Sequence, residues 1–122
     1  MKFFVYQPDP PSPDAPPPTP EMYVEMDKLI EDSTRAGVLI ATGAFVGHPT
    51  RVNLSAGKYT VTDGPFIEAK ELMGGYSLIE VKSLEEAIGW AKRGLGVLGE
   101  GTNEICPVMS PEDFAAAGAA GQ

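Results

Sequence analysis

Hydrophobic positions along the chain switch between the spacing of strands and the spacing of helices. Short apolar, aromatic or β-branched runs predict strands, and apolar residues that recur every three or four positions predict helices. The predicted strands lie at 2–7, 38–46, 51–54, 58–62, 76–81 and 104–109. Two long helices are predicted to begin after Thr19 and Ser83, and a short third helix begins near Ser110.

Capping residues mark the boundaries of the two long helices. Thr19 can accept a hydrogen bond from an orphan amide, Pro20 suits the first helical position, and Gly37 is expected to end the first helix. Ser83 and Glu86 have the spacing of a capping box at the start of the second helix. Both helices are therefore delimited by their own sequence.

Each long helix carries one apolar stripe, which we expect to face the core. In the first helix the stripe consists of Met22, Tyr23, Met26, Leu29 and Ile30. In the second helix it consists of Leu84, Ala87, Ile88 and Ala91. The second helix is expected to end near Lys92 and Arg93, and the glycine-rich stretch 94–103 is expected to be a flexible loop.

The order of elements predicts the fold. Strand, helix and strand are followed by a hairpin and then by strand, helix and strand, which is an α+β, ferredoxin-like split βαβ unit with an inserted β-hairpin. Two helices cover only one face of such a sheet. The runs 38–46 and 76–81 are apolar on both sides, so we expect a second copy to cover the other face. The predicted assembly is a homodimer whose sheets pack face to face.

The chain length fits one domain, which we place at 1–114. Eight of the twelve prolines lie in 8–20, where neither a helix nor a central strand is expected. This segment is interpreted as a stiff, polyproline-like connector, and the alternative is a ligand for an SH3-type or WW-type module. The Ala/Gly stretch 115–122 is expected to be a flexible tail.

A formal net charge of −8 argues against nucleic acid and anionic membranes as partners, because both carry negative charge. The apolar run near the N-terminus is too short for a signal peptide, and no run reaches the length of a membrane span, so we expect a cytoplasmic protein. Cys106 stands in an apolar run, which predicts a buried structural thiol.

Asp63 is the first candidate for chemistry. It ends the stretch 58–63, in which Tyr59, Val61 and Asp63 share one side because side chains alternate along a strand. Val61 is expected to face the interior, so the carboxylate would point inward and could act as a general acid or base. The alternative is structural, because Asp-Gly is a favoured turn pair whose carboxylate can bond its own downstream amides.

The chain has one histidine, His48, which could pair with Asp63 and serve as a general base. A solvated loop position is the alternative for this side chain. We expect the remaining pocket residues to be Arg51, Phe66, Glu68 and Lys70. Arg51 could hold an anionic group, Phe66 could anchor the loop, and Glu68 and Lys70 could line the pocket or belong to a solvated charge run.

No cofactor or metal is expected. The glycines of 94–101 follow a helix instead of opening one, so they are not a dinucleotide fingerprint. One histidine and one cysteine cannot form a structural zinc site.

Four motifs occur together in the chain: D-G-P-F at 63–66, E-x-K-E after it, G-G-aromatic before the fifth strand, and E-A-I-x-W-A-K-R in the second helix. In this combination the chain resembles the YCII-related family, in its DGPF branch, over 2–114 without the proline loop. The resemblance implies a dimeric α/β barrel, no established common reaction, and genes that often lie beside extracytoplasmic-function sigma factors. Other branches carry a His–Asp pair proposed as an active site. Where the branch usually has an acidic G-E-G-L, this chain has Thr42-Gly43-Ala44-Phe45.

Two functions follow from these observations. In the first, a homodimer binds a small organic molecule at the DGPF motif and processes it by acid–base chemistry through Asp63, assisted by His48 and Arg51. In the second, the protein is a non-catalytic interaction module that acts with a sigma-factor system. The sequence names no substrate for the first function and no contact surface for the second beyond the proline loop and the tail.

Overall fold

The computed structural model describes residues 1–8, 16–45, 49–64 and 74–120. Within them, strands and helices follow the predicted order. The elements are β1 (Lys2–Tyr6), α1 (Pro20–Arg35), β2 (Leu39–Ala44), β3 (Thr50–Ser55), β4 (Lys58–Asp63), β5 (Gly75–Glu80), α2 (Leu84–Leu98), β6 (Glu104–Val108) and α3 (Pro111–Ala120).

Four strands form an antiparallel sheet in the order β2-β5-β1-β6. β1 lies inside the sheet, where Phe3 is paired with Ile79 of β5 on one side and with Pro107 of β6 on the other. Strands that pair out of chain order in this way define the split βαβ arrangement. The α+β, ferredoxin-like fold predicted from the sequence is confirmed.

β3 and β4 form a separate two-stranded sheet. The hairpin turns at Ala56 and Gly57, whose φ angles are 51° and 76°. Positive φ at both central residues is the geometry of a type I′ turn, which matches the twist of two antiparallel strands. The inserted hairpin predicted at 51–62 is therefore present.

The core lies between the sheet and the helices. Phe3 and Val5 point to this side of β1, because alternate side chains of a strand share a face. They pack with Val38 and Ile79, and with Ala87 of α2, whose side chain is fully buried. Full burial of a large apolar side chain such as that of Phe3 stabilises the fold by about 1.5–3 kcal/mol.

Both predicted N-caps are present. The Thr19 hydroxyl accepts from the amide of Met22 at 3.2 Å, and the Ser83 hydroxyl accepts from the amide of Glu86 at 3.2 Å. Glu86 does not return a bond to Ser83, as a capping box requires, because its carboxylate accepts from the amide of Lys82 at 3.0 Å. The Glu86 carboxylate therefore bonds the amide of Lys82, one residue before the N-cap, whereas a capping box would use the amide of Ser83.

The second helix is longer than predicted. It continues through Gly94 and ends at Leu98, and Gly99 caps it with a φ of 89°. A Cβ at Gly94 would lie 3.8 Å from the Leu29 side chain of α1, so this glycine lies at the contact between the helices. Packing against α1 explains why a glycine-rich segment remains helical. Lys92 and Arg93 consequently lie inside α2 and not in its last turn.

Arg93 ties the two helices together. Its guanidinium donates to the Asp32 carboxylate of α1 at 2.9 Å and lies 5.1 Å from the centre of the Trp90 ring. The hydrogen bond from Arg93 lowers the pKa of Asp32.

Three further expectations are corrected. Tyr23 is 63% exposed, so the stripe of α1 runs through Met26, Leu29 and Ile30 without it. Cys106 is exposed because it alternates with Ile105 onto the sheet face that carries no helix. α3 continues to Ala120, since alanine favours helix more than any other residue, so the expected tail is helical up to that point.

No helix among the described residues is long and apolar enough to cross a membrane.

Gly89 inside α2 and Gly99 at its C-cap should respond in opposite directions to substitution by alanine. Gly89 is helical and a Cβ there would meet nothing within 4 Å, so Gly89→Ala should raise the free energy of unfolding by about 0.5–1 kcal/mol. Gly99 has a φ of 89°, so Gly99→Ala should lower it by about 1–2 kcal/mol. Urea unfolding followed by circular dichroism measures both, and equal shifts would contradict the assigned end of α2.

Candidate functional site

A cavity of about 530 Å³ lies between the sheet and the two long helices. It occupies the end of the sheet at which β1 and β2 finish and β5 begins. Small residues line it there, among them Ala44, Gly75, Ser77 and Gly94. Larger side chains fill the same space at the other end of the sheet, where Phe3, Val38 and Val81 are buried. The cavity therefore arises because the side chains between the layers become small toward one end.

The helices supply an apolar wall. Met26, Leu29 and Ile30 line the cavity from α1, and Trp90 and Leu98 line it from α2. The described lining contains no Asp, Glu, Lys, Arg or His. Ligand pockets of this size are usually apolar with a few placed polar groups, so the wall has the general character of a small-molecule site.

Gln7 is the polar side chain whose orientation is best defined. Its Oε1 accepts from the amide of Gly75 at 2.8 Å, and its own backbone amide donates to the Gly75 carbonyl at 3.1 Å. A Cβ at Gly74 would lie 2.5 Å from Cβ of Gln7, so only glycine fits beside it. The double glycine before β5 thus allows Gln7 to approach the backbone closely.

Three hydroxyl groups of the wall, those of Ser33, Thr42 and Ser77, are engaged with the protein. Ser33 donates to the Leu29 carbonyl at 2.8 Å within α1. Thr42 donates to the Tyr76 carbonyl at 3.0 Å and lies 3.3 Å from the Ser77 hydroxyl. Because the Thr42 proton is directed to Tyr76, Ser77 acts as the donor in its contact with Thr42.

The structure places Asp63 on the hairpin, away from this wall. Its carboxylate is exposed and accepts from the Thr50 hydroxyl at 2.7 Å, across the pair that closes β3 and β4. Val61, which we expected to face the interior, is 67% exposed, because the hairpin is not part of the four-stranded sheet. The expectation that strand parity directs Asp63 inward is therefore wrong for the single chain.

Of the other predicted site residues, Arg51 is exposed on β3 and does not belong to the described lining of the cavity. It follows Thr50, so it lies on the hairpin face opposite to Asp63. His48, Phe66, Glu68 and Lys70 lie outside the described residues. Their proposed roles, like the catalytic role of Asp63, stay predictions.

The described residues that flank these segments lie close to the cavity. Phe45 comes directly before 46–48 and Gly74 directly after 65–73, and the Phe45 amide donates to the Gly74 carbonyl at 3.0 Å. Ala44 and Gly75, their neighbours in the sheet, line the cavity. The hairpin therefore leads into residues 65–73, and these residues lead back to the cavity end of the sheet at Gly74.

The face of the sheet without helices is aromatic; we call it the open face. The Phe4 ring lies 5.7 Å from the Tyr6 ring and 5.9 Å from the Tyr76 ring, and Phe45 lies 5.1 Å from Tyr76. The Tyr6 hydroxyl donates to the Glu104 carboxylate on the same face. That hydrogen bond is the main reason why the pKa of Tyr6 is raised to about 12.

The hairpin also exposes an apolar face, formed by the cross-strand pairs Val52–Val61 and Leu54–Tyr59. The exposed fractions of these side chains lie between 58% and 73%. Two-stranded hairpins are marginally stable by themselves and usually need further packing on their apolar side. The hairpin and the open face are thus two apolar surfaces without cover among the described residues.

Sequence reasoning missed Gln7 and Trp90 as cavity residues. For Gln7 a signal existed, since residues 3, 5 and 7 share one face of a strand and the third of them is polar. Trp90 follows the buried Ala87 by three positions, which places both on one side of α2. The width of the gap between sheet and helices had no counterpart in the sequence pattern.

A family model described as the YCII-related domain matches residues 1–110. An uncharacterized protein of Rhizobium meliloti (strain 1021) is 50% identical over 38 residues, which are 31% of this chain and 31% of the relative, so the match spans less than a third of that protein. Among solved structures, the chain is similar to 5-chloro-2-hydroxyhydroquinone dehydrochlorinase from Burkholderia phenoliruptrix, in complex with 2,5-dihydroxybenzoquinone. The identity is 14% and the TM-score 0.47, with 92% of this chain and 97% of the other covered.

Tyr6 should titrate later than an ordinary tyrosine. Its pKa is raised from 10.0 to about 12, so the folded state holds the phenol proton more tightly than the unfolded state does. The stabilisation of the folded state by the protonated Tyr6 hydroxyl is fully present below pH 10 and is lost as the pH rises toward 12. Stopped-flow pH jumps read at 295 nm, with Tyr6→Phe to identify the signal, should show this late titration, and Glu104→Gln should move the midpoint down toward 10. An unchanged midpoint in Glu104→Gln would contradict the assigned cause.

Proposed function

Since the chain belongs to the YCII-related family, we propose that it binds a small organic molecule in the cavity between sheet and helices, and that it does so as a homodimer. One observation carries the first part: an apolar cavity of about 530 Å³ with oriented polar groups at one end. Its volume lies inside the range of about 300–1,000 Å³ that is common for ligand pockets.

Acid–base processing of the ligand is a further hypothesis. The described lining contains neither a carboxylate nor an imidazole, so the described part of the cavity supports binding alone. A reaction would require a titrating group from elsewhere, and Asp63 with His48 is the pair suggested by the sequence. Loss of turnover in Asp63→Asn, with ligand affinity unchanged, is the result expected from that hypothesis.

The regulatory alternative, an interaction module acting with a sigma-factor system, makes no use of a cavity. It is supported if the cavity binds no neutral molecule in the experiment below while the protein remains folded. The two functions therefore differ in a direct binding measurement.

The homodimer is supported by two apolar surfaces that none of the described residues covers. The open face carries Phe4, Tyr6 and Tyr76 on the side of the sheet away from α1 and α2, and the hairpin carries Val61 and its neighbours outside the sheet. A second copy related by a two-fold axis can cover both surfaces at once, because each chain offers the same pair of surfaces to the other. The apolar runs 38–46 and 76–81 already led us to expect that a second copy covers this face of the sheet.

The chain contains one tryptophan, Trp90, and it lines the cavity, so its fluorescence reports on ligand entry. We expect naphthalene to change Trp90 emission in the wild type with saturation. Gly94→Leu fills the cavity from α2 and should weaken binding at least tenfold, with Ala91→Leu as a second filling variant.

The matched control is Gly89→Leu, which places the same side chain on the same helix in open space. It should bind naphthalene as the wild type does. Urea midpoints verify that every variant is folded. Equal affinity in Gly94→Leu and Gly89→Leu, or a folded wild type that binds no neutral probe, would overturn the cavity as a ligand site.

Neighbouring positions of β4 provide a matched test of the dimer. Val61 lies on the apolar face of the hairpin and Thr60 on the opposite face. We expect a dimer for the wild type and for Thr60→Asp at micromolar concentration, and a dissociation constant at least tenfold higher for Val61→Asp. Light scattering coupled to size exclusion gives the masses. A monomeric wild type contradicts the homodimer, and dissociation by both variants alike contradicts the role of the apolar face.

A further inference from the structure

The cavity wall also indicates which class of molecule it accepts. We infer that the ligand is uncharged and largely apolar, and that it carries a hydrogen-bond acceptor, such as a ketone oxygen, recognised by the side-chain amide of Gln7. This inference rests on the proposed function, because it names the ligand class of the same cavity.

Charge is the first part of the argument. An ion that leaves water for an apolar cavity loses hydration, and only an opposite charge or several hydrogen bonds can offset that loss. None of the lining residues within the described ranges is charged. An anion also meets a chain with a formal net charge of −8, and a cation finds no carboxylate in the described wall. Neutral molecules are therefore favoured over ions of either sign.

The orientation of Gln7 is the second part. Its Oε1 is fixed by the amide of Gly75 at 2.8 Å, so the NH₂ group lies at the other end of the amide plane. A Cβ at Gly101 would lie 3.6 Å from Nε2, which places this group beside the loop that follows α2. Nε2 has no hydrogen-bond acceptor among the residues that the structure describes. A ligand acceptor would satisfy donors that the described protein groups leave unused.

Other polar groups of the wall are less available as donors. The hydroxyl protons of Ser33, Thr42 and Ser77 are directed to protein acceptors, as described above. Asn103 provides a second amide at the same end, one position beyond the β1–β6 pair Tyr6–Glu104. Amide donors at one end and an apolar wall along the rest suit a hydrophobic body with an acceptor at one edge.

Three probes that share a naphthalene ring, of which the ketone and the carboxylate have nearly equal shape, test the inference at neutral pH. They are naphthalene, 2-acetylnaphthalene and 2-naphthoate, with affinities measured through Trp90 emission and checked by calorimetry. We expect the ketone to bind about threefold to tenfold more tightly than the hydrocarbon, as one net hydrogen bond provides. The carboxylate should bind at least tenfold more weakly than the ketone.

Two variants test the role of Gln7. Gln7→Glu keeps an oxygen for the Gly75 amide but replaces the NH₂ donors by a carboxylate oxygen, so the preference for the ketone should be lost. Gln7→Met has a similar volume without the amide, so it should bind naphthalene and 2-acetylnaphthalene without a preference for the ketone. It also serves as the measurable variant if the carboxylate disturbs folding.

The outcomes separate the two proposals. A wild type that binds naphthalene, but binds 2-naphthoate as tightly as the ketone, overturns the inference on charge and leaves the ligand site in place. A ketone preference that survives in Gln7→Met overturns the role of Gln7 alone. A folded wild type that binds none of the three probes overturns both the inference and the cavity site.

Discussion

The position of β1 in the middle of the sheet determines the rest of the structure. A strand that is paired on both sides can present its side chains only above and below the sheet, with a period of two. In β1 this places Phe3 and Val5 on the helix side and Phe4 and Tyr6 on the open face. One short strand thus supplies the centre of the core on one side and an aromatic surface on the other.

The same alternation connects the core to the cavity. Gln7 follows Phe3 and Val5 on the helix side, but it lies where the layers are no longer filled by large side chains. Gly74 and Gly75 allow its close approach to β5, and their backbone fixes its amide. The Gln7 amide is therefore held by the sheet itself, while the helices contribute the apolar wall.

Much of the fold followed from local chemistry. The N-caps Thr19 and Ser83 could be predicted because each hydroxyl accepts a hydrogen bond from an amide only three residues further along the chain. The end of α2 could not be predicted. Gly94 favours the end of a helix locally, but packing against Leu29 of α1 overrides that preference. The exposure of Val61 was missed for a related reason, since strand parity does not reveal whether a hairpin joins the sheet.

The sequence alone indicated the order of strands and helices, their caps and the apolar character of both sides of the runs 38–46 and 76–81. These properties depend on neighbours that lie a few positions apart in the chain. The tertiary structure alone decided that α2 continues to Leu98, that the hairpin stays outside the sheet and that Gln7 reaches the cavity. Each of these depends on the distance between elements far apart in sequence, and that distance is set by the packing of sheet against helices.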